Sequence, residues 1–153
     1  MGDMRNLKIL SKKEIKSIFG KIKEQWGAEL EFDSVFLMSP KNKIFIVNRN
    51  ISCVKLDELR INNIGLYFGE LRNNELRLSI EGARIVDRNA TKNFVDLSKA
   101  QVKQWFRGED IKAEQRASGF IILKHEGDVL GCGRFINGKI LNFVPKARRV
   151  EVM

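Results

Sequence analysis

Asn137-Gly138 stands between two runs rich in β-branched and aromatic residues, and it constrains the chain more than any other short segment. Both central positions of a two-residue hairpin loop need positive φ, which Asn and Gly adopt at least cost, so the flanking residues must be paired antiparallel strands. Glu126-Gly127-Asp128 marks a second reversal. Together they predict strands at 118–124, 129–135, 139–143 and 148–152. A further strand at 93–96 precedes Ser98-Lys99-Ala100-Gln101, whose spacing is that of a capping box. The helix it opens turns Val102, Trp105 and Phe106 inward and ends at Arg107-Gly108. One helix and five strands suffice for a small, nearly closed barrel.

The first half reads differently. Ser11-Lys12-Lys13-Glu14 is another capping box, and Ile15, Ile18, Phe19, Ile22 and Trp26 recur at helical intervals until Gly27. Lys12, Lys13, Lys16, Lys21 and Lys23 fall on the opposite side, read as solvated, with RNA contact the alternative. Short runs at 35–38, 44–47, 65–68 and 76–80 predict strands, the last two joined by a turn at Asn73-Asn74. Residues 82–92 mix apolar and polar side chains and are taken as the boundary. The expected fold is therefore α+β: an N-terminal α/β domain over 1–88, with an antiparallel sheet and packed helix, then a β-barrel over 89–153.

A formal charge of +9 and a pI near 9.8 favour an anionic partner, since clustered cations gain by displacing counterions from phosphate. Residues 89–153 are the more one-sided, with 12 basic against 7 acidic side chains. Catalysis has few candidates. The single histidine, His125, is read as an exposed loop residue, and Cys53 and Cys132 as reduced core residues without zinc-ligand spacing. Gly131-Cys132-Gly133 lacks the lysine and following helix of a phosphate loop and is read as close packing in a strand. Asp57-Glu58 and Glu109-Asp110 are read as surface charge. Neither cofactor nor metal is expected, and no apolar run is long enough to span a membrane, which predicts a cytoplasmic, non-catalytic protein.

Residues 96–150 carry several motifs in order: Leu97-Ser98-Lys99-Ala100, Trp105-Phe106-Arg107-Gly108-Glu109-Asp110-Ile111, Ser118-Gly119-Phe120-Ile121-Ile122 and Asp128-Val129-Leu130-Gly131-Cys132-Gly133. Gly138-Lys139-Ile140-Leu141-Asn142-Phe143-Val144-Pro145-Lys146-Ala147-Arg148-Arg149 closes the series. This segment resembles the PUA domain of RNA-modifying enzymes and ribosome-assembly proteins, and its end resembles that of archaeal and eukaryotic 5-methylcytosine RNA methyltransferases. Leu10-Ser11-Lys12-Lys13-Glu14, Lys43-Ile44-Phe45-Ile46-Val47 and Gly65-Leu66-Tyr67-Phe68-Gly69-Glu70 are similar to the domain preceding PUA in the Nip-seven family of ribosome-biogenesis factors.

The resemblance implies a non-catalytic factor in ribosome biogenesis and rRNA processing. It would bind pre-rRNA beside other assembly proteins, with an accessory subunit of an RNA methyltransferase as the alternative. It selects Arg107, Gly108, Lys112, Arg116, Lys146, Arg148 and Arg149 as the RNA site, where the first helix and its glycine loop meet the second and last strands. Arg134 and Lys139, flanking the Asn137-Gly138 hairpin, add to the cationic surface. Gly108 would let the RNA approach the backbone, or else simply cap its helix. The terminal cations would contact phosphate, or else protect a strand edge.

Overall fold

The computed structural model describes residues 6–30, 34–47, 65–113 and 119–142. Helix α1 (Lys12–Trp26) starts where its capping box requires: Ser11 Oγ accepts from the Glu14 amide at 3.2 Å and Glu14 Oε1 accepts from the Ser11 amide at 3.1 Å. Gly27, at φ 64°, stops it in the left-handed conformation. Its apolar stripe, Ile18, Ile22 and Trp26, is buried. On the opposite side Lys12, Lys13 and Lys16 are exposed, Lys23 pairs with Glu29 at 2.8 Å, and Lys21 Nζ donates to Asn74 O.

Five antiparallel strands form the first sheet in chain order: β1 (Lys8–Ile9), β2 (Val35–Met38), β3 (Lys43–Val47), β4 (Leu66–Arg72) and β5 (Glu75–Leu78). The β4–β5 turn holds Asn73 and Asn74 at φ 50° and 65°, the tight reversal expected there. Phe36, Ile44, Phe68, Leu76 and Leu78 face α1 and are buried with it. Residues 80–87, assigned to the end of a strand and to the boundary segment, are instead helix α2 (Ile80–Asp87), capped by Ser79 Oγ on the Gly82 amide at 2.9 Å.

The second sheet runs β6 (Phe94–Asp96), β8 (Gly119–His125), β9 (Asp128–Ile136), β10 (Lys139–Leu141) and β7 (Ile111–Lys112). Only β6 and β8 are parallel; the other neighbours are antiparallel. A register shift between Leu123 and Lys124 bends the long β8–β9 pair, and the sheet curls into a half-barrel. Helix α3 (Lys99–Phe106), with the predicted Ser98–Gln101 capping box, plugs the curl with Trp105. Trp105, Val95, Leu97, Ile111, Ile121, Leu123 and Ile140 form that interior, with Val102 half-buried against it. Gly133 is in a strand for the packing reason anticipated: a Cβ there would lie 2.5 Å from Ile140 Cγ2.

Alternate residues of β8 and β9 point the other way, and this outer face is where the two halves join. Phe120, Ile122 and Cys132 belong to the same buried cluster as Trp26, Phe36, Leu76, Ala83 and Val86. One apolar core thus crosses position 88, with α2 packed between β4 and β9.

Candidate nucleic-acid interface

Strand register decides which cations share a surface. Lys139 on β10 lies opposite Lys112 on β7 and Ile136 on β9, and Leu141 lies opposite Arg134. Cross-strand partners project to the same side of a sheet. Lys112, Lys139, Ile136 and Arg134 therefore occupy the outer face, while Ile111, Ile140 and Phe135 turn into the half-barrel.

Of these three cations one is engaged and two are not. Arg134 stacks over the Phe120 ring at 5.3 Å and faces Glu75 of β5 at 3.6 Å. Lys112 and Lys139 are exposed and form no ion pair among the described residues. Two directly opposed like charges destabilise a strand pair, so their juxtaposition calls for a counter-charge from outside the fold.

The end of α3 borders this strip. Gly108, at φ 88°, is the left-handed residue of a Schellman closure: its amide donates to Trp105 O at 3.0 Å and the Glu109 amide to Gln104 O at 3.0 Å. The helix-cap reading of Gly108 therefore accounts for its conformation, and its own N–H is already used. Arg107 is half-exposed and lies 3.6 Å from Glu109, a surface pair too loose to withhold it from a stronger anion. Asn142 fastens the far end of β10 to this corner. Its amide donates to Asp110 Oδ1 at 2.9 Å, and its Nδ2 to Trp105 O at 2.7 Å and Glu109 O at 2.9 Å. Arg107, Gly108, Lys112 and Lys139 are thus held around one corner of the half-barrel. Arg116, Lys146, Arg148 and Arg149 lie outside the described residues, as do Cys53, Asp57, Glu58, Phe143 and the strand predicted over 148–152.

Sequence reasoning missed Asn142, whose three bonds depend on contacts more than thirty residues away. It also missed Phe94, an exposed aromatic on edge strand β6 with Lys124 Nζ 5.5 Å from its ring centre. Lys124 in turn pairs with Asp87 of α2 at 3.1 Å. His125 corrects another expectation: it ends β8 half-buried, with Nδ1 2.7 Å from Leu97 O, rather than sitting in an exposed loop. Cys132 is a buried core residue as expected, and burial pushes its thiol up to about 12. No helix among the described residues is long and apolar enough to cross a membrane.

The half-barrel, its plugging helix and the basic corner coincide with a family match. Residues 92–150 match the family model described as the methyltransferase RsmF PUA domain. This segment is a PUA domain. The chain is also similar to ribosomal RNA small subunit methyltransferase F of Vibrio vulnificus, at 26% identity over 136 residues, covering 89% of this chain and 28% of that protein. The protein of the same description from Aeromonas hydrophila is 32% identical over 90 residues, 58% of this chain and 19% of that one. The chain thus spans less than a third of the relatives it matches. The Vibrio alignment is too long to be contained in the PUA domain and extends well into the residues before it. The half whose motifs resemble the Nip-seven factors is therefore similar to a bacterial rRNA methyltransferase.

Proposed function

We propose that the chain binds small-subunit ribosomal RNA through its PUA domain and takes part in rRNA maturation in the cytoplasm without itself catalysing a reaction. The observation that carries this reading is the unneutralised Lys112–Lys139 pair beside Arg107, on a domain matched to the PUA domain of an rRNA methyltransferase family. Phosphate contacts of this kind position RNA and give affinity that falls steeply with salt. Arg116, Lys146, Arg148 and Arg149 would extend the same basic surface.

The non-catalytic part rests on what the described side chains offer. The Cys132 thiol is buried and protonated at neutral pH, and the His125 ring is held on a backbone carbonyl. Two roles fit an RNA-binding chain: a ribosome-assembly factor of the Nip-seven kind, or an element that presents rRNA to a methyltransferase centre. The likeness of both halves to one methyltransferase favours the second. Fluorescence anisotropy with small-subunit rRNA fragments at two salt concentrations tests the binding. Affinity that is absent, or indifferent to charge reversal at Lys112 and Lys139, overturns it. Affinity capture then separates the roles: a single methyltransferase supports RNA presentation, whereas pre-ribosomal particles carrying several assembly factors support the other.

A further inference from the structure

At the other edge of the second sheet from Lys112, β6 turns Val95 into the half-barrel and Phe94 to the outer face, where the parallel register sets it beside Ile122. Ile122 is buried under the N-terminal half, but Phe94 is 38% exposed and belongs to none of the apolar clusters of the described residues. The ring is nonetheless held. Lys124 Nζ lies 5.5 Å from its centre, and that ammonium is itself fixed by Asp87 at 3.1 Å. A ring held in this way loses little freedom when another planar group stacks on it.

Helix α2 supplies charge beside it. Residues three and four apart on a helix are neighbours, so Arg84 adjoins both Asp87 and Arg88. Both arginines are exposed and form no ion pair among the described residues; Asp87, the carboxylate next to them, is spent on Lys124. Lys92, two residues before Phe94, is exposed as well, against one carboxylate on this margin without a counter-charge among the described residues, Asp96. Cations therefore outnumber acids around the ring. The edge strands β6 and β7 both line one gap of about 290 Å³, which brings Phe94 to the same open side of the half-barrel as Lys112.

We propose that Phe94 is a stacking platform for one base of single-stranded RNA, with Arg84 and Arg88 meeting the phosphates next to it. Every base has a π-face, so such a platform takes unpaired RNA without choosing a sequence. A duplex offers it nothing, because its bases are stacked on one another. An acidic protein segment would satisfy the arginines and leave the ring unused, whereas a single RNA strand carries planar rings and anions in alternation. This inference rests on the RNA-binding reading and extends it. Lys112 and Lys139 would hold a phosphate backbone of either kind, but Phe94 needs a free base.

The test uses the full chain with three ligands: an oligouridine, an abasic oligomer of the same length, and an RNA duplex. The abasic oligomer keeps the phosphates and lacks the rings. Wild type should bind the oligouridine roughly ten-fold more tightly than the abasic oligomer, the effect expected of one stacked base. Phe94→Leu, which keeps apolar bulk without a π-face, should abolish that difference while leaving the salt slope and the duplex affinity unchanged; Phe94→Trp should preserve it. Alanine at Arg84 and Arg88 should lower the slope of log affinity against log salt by about 0.7 per arginine on both oligomers. Equal binding of the two oligomers by wild type, a preference that survives in Phe94→Leu, or an unchanged slope in the arginine variants overturns the platform while leaving RNA binding standing. If wild type binds none of the three ligands, the RNA-binding reading falls and the platform with it.

Discussion

The outer face of the second sheet is used in two ways. Where β8 and the middle of β9 lie under the N-terminal half, Phe120, Ile122 and Cys132 are buried, and the cations at the margin, Lys124 and Arg134, face Asp87 and Glu75. Where β9 runs on past this cover to β10 and β7, the same alternation delivers Ile136, Lys139 and Lys112 to solvent with no counter-charge among the described residues. Identical strand geometry thus yields a structural seam at one end and an electrostatic surface at the other. What separates them is whether a carboxylate from the first half reaches the cation.

The seam should dominate stability. Phe120→Ala removes a ring buried among residues of both halves and should cost about 3–5 kcal/mol in urea unfolding. Because the core is shared, the fluorescence of Trp26 in one half and Trp105 in the other should report a single transition. Two separated transitions would break the comparison by making the seam incidental. A smaller loss, about 1–2 kcal/mol, is expected for Asp87→Ala, which strands the partly buried Lys124 ammonium. Replacing Lys124 with Met in that background should recover most of it; no recovery would mean that Asp87 acts through some other contact.

Gly108→Ala comes next, at roughly 1 kcal/mol, because an alanine must take φ near 88° to keep the helix closure. RNA affinity should hardly change, since the Gly108 N–H is already bonded to Trp105 O. A large affinity loss at unchanged stability would instead return Gly108 to the interface.

Local signals account for what the sequence disclosed. Ser11 with Glu14 and Ser98 with Gln101 carry both halves of a capping box, and Asn73-Asn74, Glu126-Gly127 and Asn137-Gly138 all take positive φ at their turns. Helix α2 escaped because Ser79 has Gly82 rather than Glu three residues on, and glycine costs about 1 kcal/mol in a helix. The reason for that glycine is tertiary: a Cβ at position 82 would collide with Phe68 O. Strands β1 and β7, two residues each, exist only through distant partners. The candidate site divides along the same line. Lys139 follows from its hairpin, whereas its pairing with Lys112, the Asn142 clamp and the diversion of Arg134 to Glu75 are products of docking.

The smallest effects should come from the open end. Lys112→Ala and Lys139→Ala remove exposed ammoniums, so each should change stability by no more than about 0.5 kcal/mol. Relief of the like-charge pair could even make the change favourable. Each should weaken RNA binding roughly three-fold at moderate salt and lower the slope of log affinity against log salt by about 1, uniformly across RNA sequences. Arg134→Ala supplies the contrast on the same face. It should cost stability through Phe120 and Glu75 and alter the salt slope less than either lysine. If Arg134 instead changes the slope as the lysines do, Glu75 does not neutralise it, and the phosphate-binding strip runs on into the seam.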